Sequence, residues 1–276
     1  MADTAFQTMY RKESIAAFEQ EESLVRKSVT KEANVNGNTA VFLVAGSGDA
    51  TAVTRGVNGR IPARADDLTQ NSATLQEWHD KVIKTGFNIY ASQGDQRKIM
   101  QRTTMGVINR KIDQDIITTL DAATQDTGDS AVMTLNLVMH ALAILGNNDV
   151  PLDGNITMLI TPAAYAYLMQ APEFTSVDFT SNKQFDRSLT QFRWAGVNFI
   201  VHPNLTGAAT GTEKCLMYHR DAIGHACDSE NLMTAVGYDD EDDYSFARCS
   251  VYMGSKLLQN SGVVVVKHDA TGFAAS

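Results

Sequence analysis

Two cysteines and two histidines lie close together in the C-terminal half of the chain. Cys215, His219, His225 and Cys227 have the spacing C-x3-H-x5-H-x-C. Zinc favours four such ligands in a tetrahedron, but this spacing fits none of the common zinc fingers or knuckles. Alternation along a strand would also point Cys215 and His219 to the same side without any ligand. The pattern therefore favours buried cysteines and hydrogen-bonded histidines, and we predict no metal site and no cofactor.

A run of five acidic residues is the second place where side chains could bind an ion. The run consists of Asp239, Asp240, Glu241, Asp242 and Asp243. It lacks the alternating oxygen ligands, the central glycine and the distant glutamate of an efficient calcium loop. We therefore interpret the run as a solvated turn or as a surface that faces a partner.

The common catalytic motifs do not occur in this sequence. Gly46-Ser47-Gly48 lacks the third glycine of a dinucleotide fingerprint, and no G-K-[ST] follows it. His219-Arg220-Asp221 matches a kinase triplet, but the other kinase landmarks are missing. Neither a G-x-S-x-G elbow nor an H-E-x-x-H helix is present. The sequence predicts a protein without catalytic residues, which is not an enzyme.

The composition indicates a folded protein that does not bind nucleic acid tightly. Apolar residues make up 43% and charged residues 20%, which is enough to bury a core. The net charge of -9 argues against direct binding of DNA, because phosphate neutralisation by a basic surface supplies most of that affinity. Three irregularly spaced cysteines do not make a disulfide framework, so we expect synthesis in a reducing cytoplasm.

The first half of the chain predicts an amphipathic arm, a long extended loop and a long helix. Residues 1 to about 33 have apolar residues near helical spacing amid mixed charge, which suits a helix or an arm laid across another surface. Thr39–Ala45 and Ala73–Ile83 read as outgoing and returning strands around a loop of small residues. An isolated hairpin has only marginal stability in water, so we expect it to pack against another surface, such as a neighbouring chain. Asp95–Ala123 carries one apolar stripe and predicts a single helix.

The second half predicts alternating helices and strands, and hence an α+β fold. Thr134 and Thr161 each precede a helix as a cap, and Pro162 follows Thr161 at the favoured first helical position. Residues Arg220–Ala226 suggest a short helix. The predicted strands are Ile156–Ile160, Val197–Val201, Cys215–Tyr218, Leu232–Tyr238, Tyr244–Met253 and Val263–Lys267.

This order of parts resembles the Hong Kong phage capsid fold, which tailed bacteriophages share with the herpesvirus capsid floor and with encapsulins. Six segments of the sequence are similar to segments of phage major capsid proteins: GFNIYASQ, ALAILGNNDVPLDG, LITPAAYAYL, FRWAGVNFIVHPNL, YHRDAIGHA and YDDEDDYSFARCSVYMGSKLLQNSGVVVVKHD. The resemblance covers about residues 30 to 270. It implies an N-terminal arm over 1–36, an E-loop over 37–86, a P-domain with a spine helix over 87–130, an A-domain over 131–238 and closing P-domain strands over 239–276.

The resemblance implies a structural protein that assembles as hexamers and pentamers into an icosahedral head around double-stranded DNA, without sequence-specific binding. Its expected partners are further copies of itself, a scaffolding protein, the portal protein and a decoration or cement protein. It would be made in the bacterial host cytoplasm and end in the virion. The alternative is an encapsulin-like compartment shell, which shares the fold but encloses a cargo enzyme.

Contacts between subunits are the functional sites to expect in such a protein. The E-loop carries Arg55, Arg60 and Arg64, and we expect the acidic run from Asp239 to Asp243 to lie near basic groups of the E-loop or arm, within or between subunits. Opposite charges there would guide the register of assembly. The type member of the fold joins an E-loop lysine to an asparagine of another subunit. The segment 45–67 here contains no lysine, so we expect a shell without such cross-links.

Overall fold

A computed structural model describes residues 22–32, 35, 37–46, 50–64, 67–91, 96–175, 191–228 and 232–273. The helices are α1 Gly86–Ala91, α2 Gln96–Asp121, α3 Leu135–Asn147, α4 Pro162–Leu168 and α5 Pro172–Thr175. The strands are β1 Thr30–Glu32, β2 Thr39–Gly46, β3 Asp67–Thr74, β4 Gln76–Thr85, β5 Ile156–Ile160, β6 Gln191–Trp194, β7 Val197–Val201, β8 Glu213–His219, β9 Ile223–Cys227, β10 Met233–Asp239, β11 Tyr244–Leu257 and β12 Val263–His268. The predicted α+β class is confirmed. Among the described residues, no helix is both long enough and apolar enough to cross a bilayer.

Helix α2 is the long spine predicted from the apolar stripe. Its 26 residues give a rod of about 39 Å. Ile108, Ile112, Ile116 and Leu120 are buried along one side, where the helix packs on β11. The prediction of one uninterrupted helix is confirmed, because spacing of three to four residues places these side chains on one face.

A five-stranded sheet, here called the P-domain sheet, lies against α2. Four of its strands have the order β1-β9-β11-β10, and β4 pairs with the other edge of β11. Strand β11 alternates along part of its length. Ala247, Cys249 and Val251 are buried, whereas Arg248 and Tyr252 are exposed on the opposite face. One face of the sheet therefore builds the core with α2, and the other face is exposed at Arg248 and Tyr252 but covered near Gly224 and Gly254.

A second five-stranded sheet, the A-domain sheet, has the order β12-β8-β5-β7-β6. Both of its faces are covered, which explains why all five residues of β5 are buried. Leu159 and Leu216 belong to the core shared with α2, whereas Met158 and Met217 belong to a second core that includes buried residues of α3 and α4. The predicted caps are confirmed, since Thr134 and Thr161 accept hydrogen bonds from the backbone N–H groups of the following helices.

Strands β2 and β3 form a separate two-stranded ribbon, here called the E-loop hairpin. Its register pairs Thr39 with Thr74 and Gly46 with Asp67. The predicted returning strand Ala73–Ile83 is wrong in two respects. The hairpin strand β3 already begins at Asp67, in the segment expected to be loop, and the predicted strand is interrupted at Leu75. The part after the break is β4, which pairs with β11 along ten residues of the P-domain sheet.

Two further predictions are corrected by long-range strand pairing. The segment Arg220–Ala226 is not a helix. It is a 3-10 turn over Arg220–Ala222 that leads into β9, which pairs with β11. The predicted amphipathic helix over 1 to about 33 lies mostly outside the described residues, but its end forms the 3-10 turn Arg26–Ser28 and strand β1, which pairs in parallel with β9.

The sheets also cross the domain boundaries expected from the sequence. Strand β1 comes from the expected arm, β4 from the expected E-loop, and β9 and β10 from the expected A-domain, yet all four lie in the P-domain sheet. Each of these strands joins the sheet by pairing with β11, directly or through β9. Pairing between residues so far apart along the chain cannot be predicted from the sequence alone.

Candidate assembly surfaces

The E-loop hairpin is apolar on both faces, although the described residues of the chain cover only one of them. Ala40, Phe42 and Ala73 are buried in a small cluster that also contains Ala226 of β9. Gly224 makes this contact possible, because a Cβ there would lie 2.8 Å from the Phe42 ring. The other face of the hairpin is exposed, and its larger apolar side chains are Val41, Leu43 and Leu68.

The tip of the hairpin, here residues 50–64, is exposed throughout. It turns through hydrogen bonds from Gly56 N–H to the Arg60 carbonyl oxygen, 3.1 Å, and from Gly59 N–H to the Gly56 carbonyl oxygen, 2.8 Å. Gly59 has a φ of +68°, a conformation that favours glycine. Three apolar and three basic side chains project from this tip: Val53, Val57, Ile61, Arg55, Arg60 and Arg64.

The acidic run forms the tight turn between β10 and β11. The Asp239 carboxylate accepts a hydrogen bond from Glu241 N–H at 3.1 Å, and this bond, with further help from Tyr244, lowers the pKa of Asp239. The Tyr238 hydroxyl donates to the Asp243 carboxylate, which raises the pKa of Tyr238. Asp239 and Asp243 thus hold the turn itself together. The middle carboxylates Asp240, Glu241 and Asp242 are exposed.

Within one chain, the basic tip and the acidic turn lie at opposite ends of β11. Tyr244 at the acidic end pairs with Thr85, whereas Met253 pairs with Gln76 at the start of β4. Beyond that point, Asn71 of the hairpin donates to the Leu258 carbonyl oxygen at 3.5 Å. The hairpin therefore continues away from the acidic turn. The hairpin tip therefore does not approach the acidic turn of its own chain, whereas Lys81 of β4, within the expected E-loop range, is close enough to Asp239 to help lower its pKa.

The Cys/His cluster is not brought together. Cys215 and His219 lie on β8 of the A-domain sheet, whereas His225 and Cys227 lie on β9 of the P-domain sheet. Burial raises the pKa of the Cys215 thiol, which keeps it a neutral core residue. Among the described residues, no group of three or more histidines, cysteines and carboxylates has the arrangement of a metal site.

The sequence reasoning missed the exposed apolar face of the hairpin. The signal was available, since β2 reads TAVFLVAG and so has apolar residues on both faces of a strand that was expected to stand apart from the core. A half-buried strand normally alternates apolar and polar residues. Apolar residues on both faces therefore indicate a second covering surface, and among the residues that the structure describes none covers Val41 and Leu43.

Solved structures of similar fold are capsids. A structure described as Mycobacterium phage Che8 matches with a TM-score of 0.78 at 16% identity, over 96% of this chain and 98% of that chain. The capsid of the cyanophage P-SCSP1u matches with a TM-score of 0.74 at 14% identity, over 96% and 93%. The capsid of a native GTA particle matches with a TM-score of 0.69 at 11% identity, over 97% of both chains. No curated protein sequence matches this chain.

The hairpin, the spine helix and the two sheets, together with these likenesses, define a fold that is shared with phage capsids. The chain belongs to the phage capsid protein family, whose sequence profile matches residues 2–270. The protein is therefore a phage capsid component of the virion and not an enzyme, as predicted. The family match favours this assignment over the alternative of an encapsulin-like compartment.

Proposed function

We propose that copies of this chain assemble as hexamers and pentamers into the icosahedral head that encloses the double-stranded DNA of a tailed phage. In this proposal each E-loop hairpin lies on a neighbouring copy. A scaffolding protein directs assembly in the bacterial cytoplasm, a portal protein occupies one vertex, and a decoration protein reinforces the outside. The acidic balance of the chain suits a wall that holds DNA without binding it tightly.

The exposed apolar face of the hairpin is the observation that carries the proposal. Leu43 is 65% exposed in a ribbon of only two strands, and in the tip Ile61 is 67% exposed and Val57 fully exposed. Such a ribbon is marginal in water unless another surface covers it. Covering one of these side chains contributes roughly 1.5–3 kcal/mol, and obligate interfaces bury about 2,000 Å² or more.

Charge supports the same arrangement of neighbouring copies. The tip of one copy presents Arg55, Arg60 and Arg64, and the acidic turn of the next copy presents Asp240, Glu241 and Asp242 beside Asp239 and Asp243. Because the two groups lie at opposite ends of one folded subunit, their pairing joins a subunit to its neighbour. Arginine suits this role, since its guanidinium pairs with a carboxylate through two parallel hydrogen bonds.

Substitution of Leu43 tests the hairpin contact. Leu43→Asp places a charge on the exposed face, where the isolated chain tolerates it because the side chain already faces water. We expect an unchanged thermal midpoint for the unassembled subunit and loss of closed shells in electron micrographs. Leu43→Met is the matched control, since it keeps an apolar side chain of similar volume and should assemble normally. Normal shells from Leu43→Asp would contradict the proposal.

A further inference from the structure

A buried carboxylate in the middle of the spine helix holds the segment that enters the body from the N-terminal side. Asp113 of α2 has no exposed surface. Its oxygens accept hydrogen bonds from Leu24 N–H at 3.1 Å and Val25 N–H at 3.2 Å, and from the Ser23 hydroxyl. These donors directly precede the 3-10 turn Arg26–Ser28, so Asp113 binds the start of that turn as a capping carboxylate does.

The same carboxylate faces the A-domain sheet through His202. This histidine directly follows β7, is 2% exposed, and its backbone N–H donates to the Ile160 carbonyl oxygen at 2.8 Å. Its Nδ1 accepts a hydrogen bond from Asn204 N–H at 3.2 Å, so the neutral ring carries its proton on Nε2. Nε2 lies 3.4 Å from Asp113 Oδ2, close enough for electrostatic attraction between the ring N–H and the carboxylate but outside good hydrogen-bond geometry.

We infer that Asp113 is a positioning residue that couples the anchored segment 22–29 to the A-domain. A buried charge is costly unless it is paired, so each of its partners depends on the others to keep the carboxylate in place. If Ser23, Leu24 and Val25 detach, the carboxylate loses three hydrogen-bond donors. If His202 withdraws, the carboxylate loses the positive edge that orients Oδ2. Displacement of the anchor and displacement of the loop after β7 therefore favour each other.

The coupling concerns this chain alone and does not depend on shell formation. Hydrogen–deuterium exchange of the full chain measures it directly, because exchange reports the opening of individual segments. In Asp113→Asn we expect exchange of peptides covering 22–29 to rise about tenfold, since hydrogen bonds to a charged acceptor are lost. Peptides covering β4 should keep the rate of the unmodified chain.

Two milder variants test the coupling even if Asp113→Asn fails to fold. His202→Gln should raise the exchange of 22–29 at least threefold, and Ser23→Ala should raise the exchange of 202–204, because coupling between two sites is reciprocal. Asp115→Asn is the matched control, since Asp115 lies on the same helix but accepts its bond from Ser255 at 2.6 Å. The inference is overturned if either mild variant leaves the distant segment at its original rate, or if Asp115→Asn produces the same pattern.

Discussion

At the scale of single residues, a buried polar chain links β9, β11 and the spine helix. The Ser255 hydroxyl donates to Asp115 at 2.6 Å, so it accepts from His225 Nδ1–H at 3.0 Å. The other ring nitrogen of His225 is buried and has no hydrogen-bond partner among the described residues. Burial, assisted by the positive charges of Arg26 and Lys31, therefore lowers the pKa of His225 from 6.5 to about 4.

This lowered pKa predicts a loss of stability in acid that His225→Gln removes. Between pH 6.5 and about 4, His225 binds a proton in the unfolded chain but not in the folded chain. The free energy of unfolding therefore falls as the pH falls. For a shift of this size, the loss from about pH 7 to about pH 4.5 is roughly 2–3 kcal/mol. Urea unfolding of the unassembled chain at both pH values measures it.

The comparison between variants isolates the histidine from the carboxylates, which also titrate in acid. His225→Gln should lose roughly 2 kcal/mol less than the unmodified chain over this pH range. His140→Gln is the matched control, because His140 is exposed on α3, and it should retain the full loss. An acid loss in His225→Gln equal to that of the unmodified chain would show that His225 is not the group responsible.

At the scale of elements, what the sequence predicts correctly is local. The stripe of Ile108, Ile112 and Ile116 and the caps at Thr134 and Thr161 depend on neighbours within a few residues, and the helices follow them. The outgoing hairpin strand β2 is also local, whereas β3 begins at Asp67, inside the segment that the sequence indicated as loop. The spacing of apolar residues and the capping residues at the ends are both visible in a single sequence, which is sufficient to locate such elements.

What the sequence does not predict depends on distant partners. The run from Ala73 to Ile83 looks like one strand, but its two parts pair with different elements. Ala73 and Thr74 pair with β2, and the residues from Gln76 onward pair with β11. The break coincides with close packing on Gly254, where a Cβ would lie 2.4 Å from the Thr74 carbonyl oxygen. The capping of the arm by Asp113 is likewise invisible, because the partners are about 90 residues apart.

Reversal of charge tests whether the hairpin tip and the acidic turn meet between copies. Arg55→Glu with Arg60→Glu should slow assembly, because like charges then face each other across the contact. Asp240→Arg with Glu241→Arg should slow it in the same way. The chain with all four substitutions should recover much of the original rate, which light scattering across a salt series can follow.

Recovery in the fourfold variant separates a pairwise contact from a general effect of net charge. The two double variants change the net charge in opposite directions, and the fourfold variant restores the original value of -9. Control substitutions at exposed Lys256 and Glu32, to Glu and Lys, change charge away from both surfaces and should leave assembly unaltered. Equal slowing in the fourfold variant, or a rate independent of salt throughout, would contradict the pairing.

At the scale of the whole molecule, the protein has two unlike ends along β11. One end presents the apolar and basic hairpin, and the other presents the acidic turn. A contact between unlike patches is heterologous, so it does not close in a pair of subunits but continues around a ring. This polarity agrees with a protein whose copies form rings within a closed shell, and it requires no residue to act as a catalyst.

Such a shell should be held together without covalent bonds between subunits. A lysine must lose its proton to attack an amide, and burial can lower a lysine pKa far enough, whereas a guanidinium stays protonated. The tip carries only arginines as cations. The first two lysines after the tip along the chain, Lys81 and Lys84, lie on β4 of the P-domain sheet. Lys81 Nζ lies 5.1 Å from the ring centroids of both Tyr244 and Phe246, so this ammonium already has partners within its own chain.

We therefore expect purified particles, boiled with detergent and reductant, to give one band near 30 kDa on a denaturing gel. Particles of the variant Lys81→Arg with Lys84→Arg serve as the control and should give the same band, because neither amine is needed for cohesion. A ladder of oligomers from the unmodified chain would contradict the prediction. Loss of that ladder in the double variant would identify β4, and not the hairpin tip, as the source of the reacting amine.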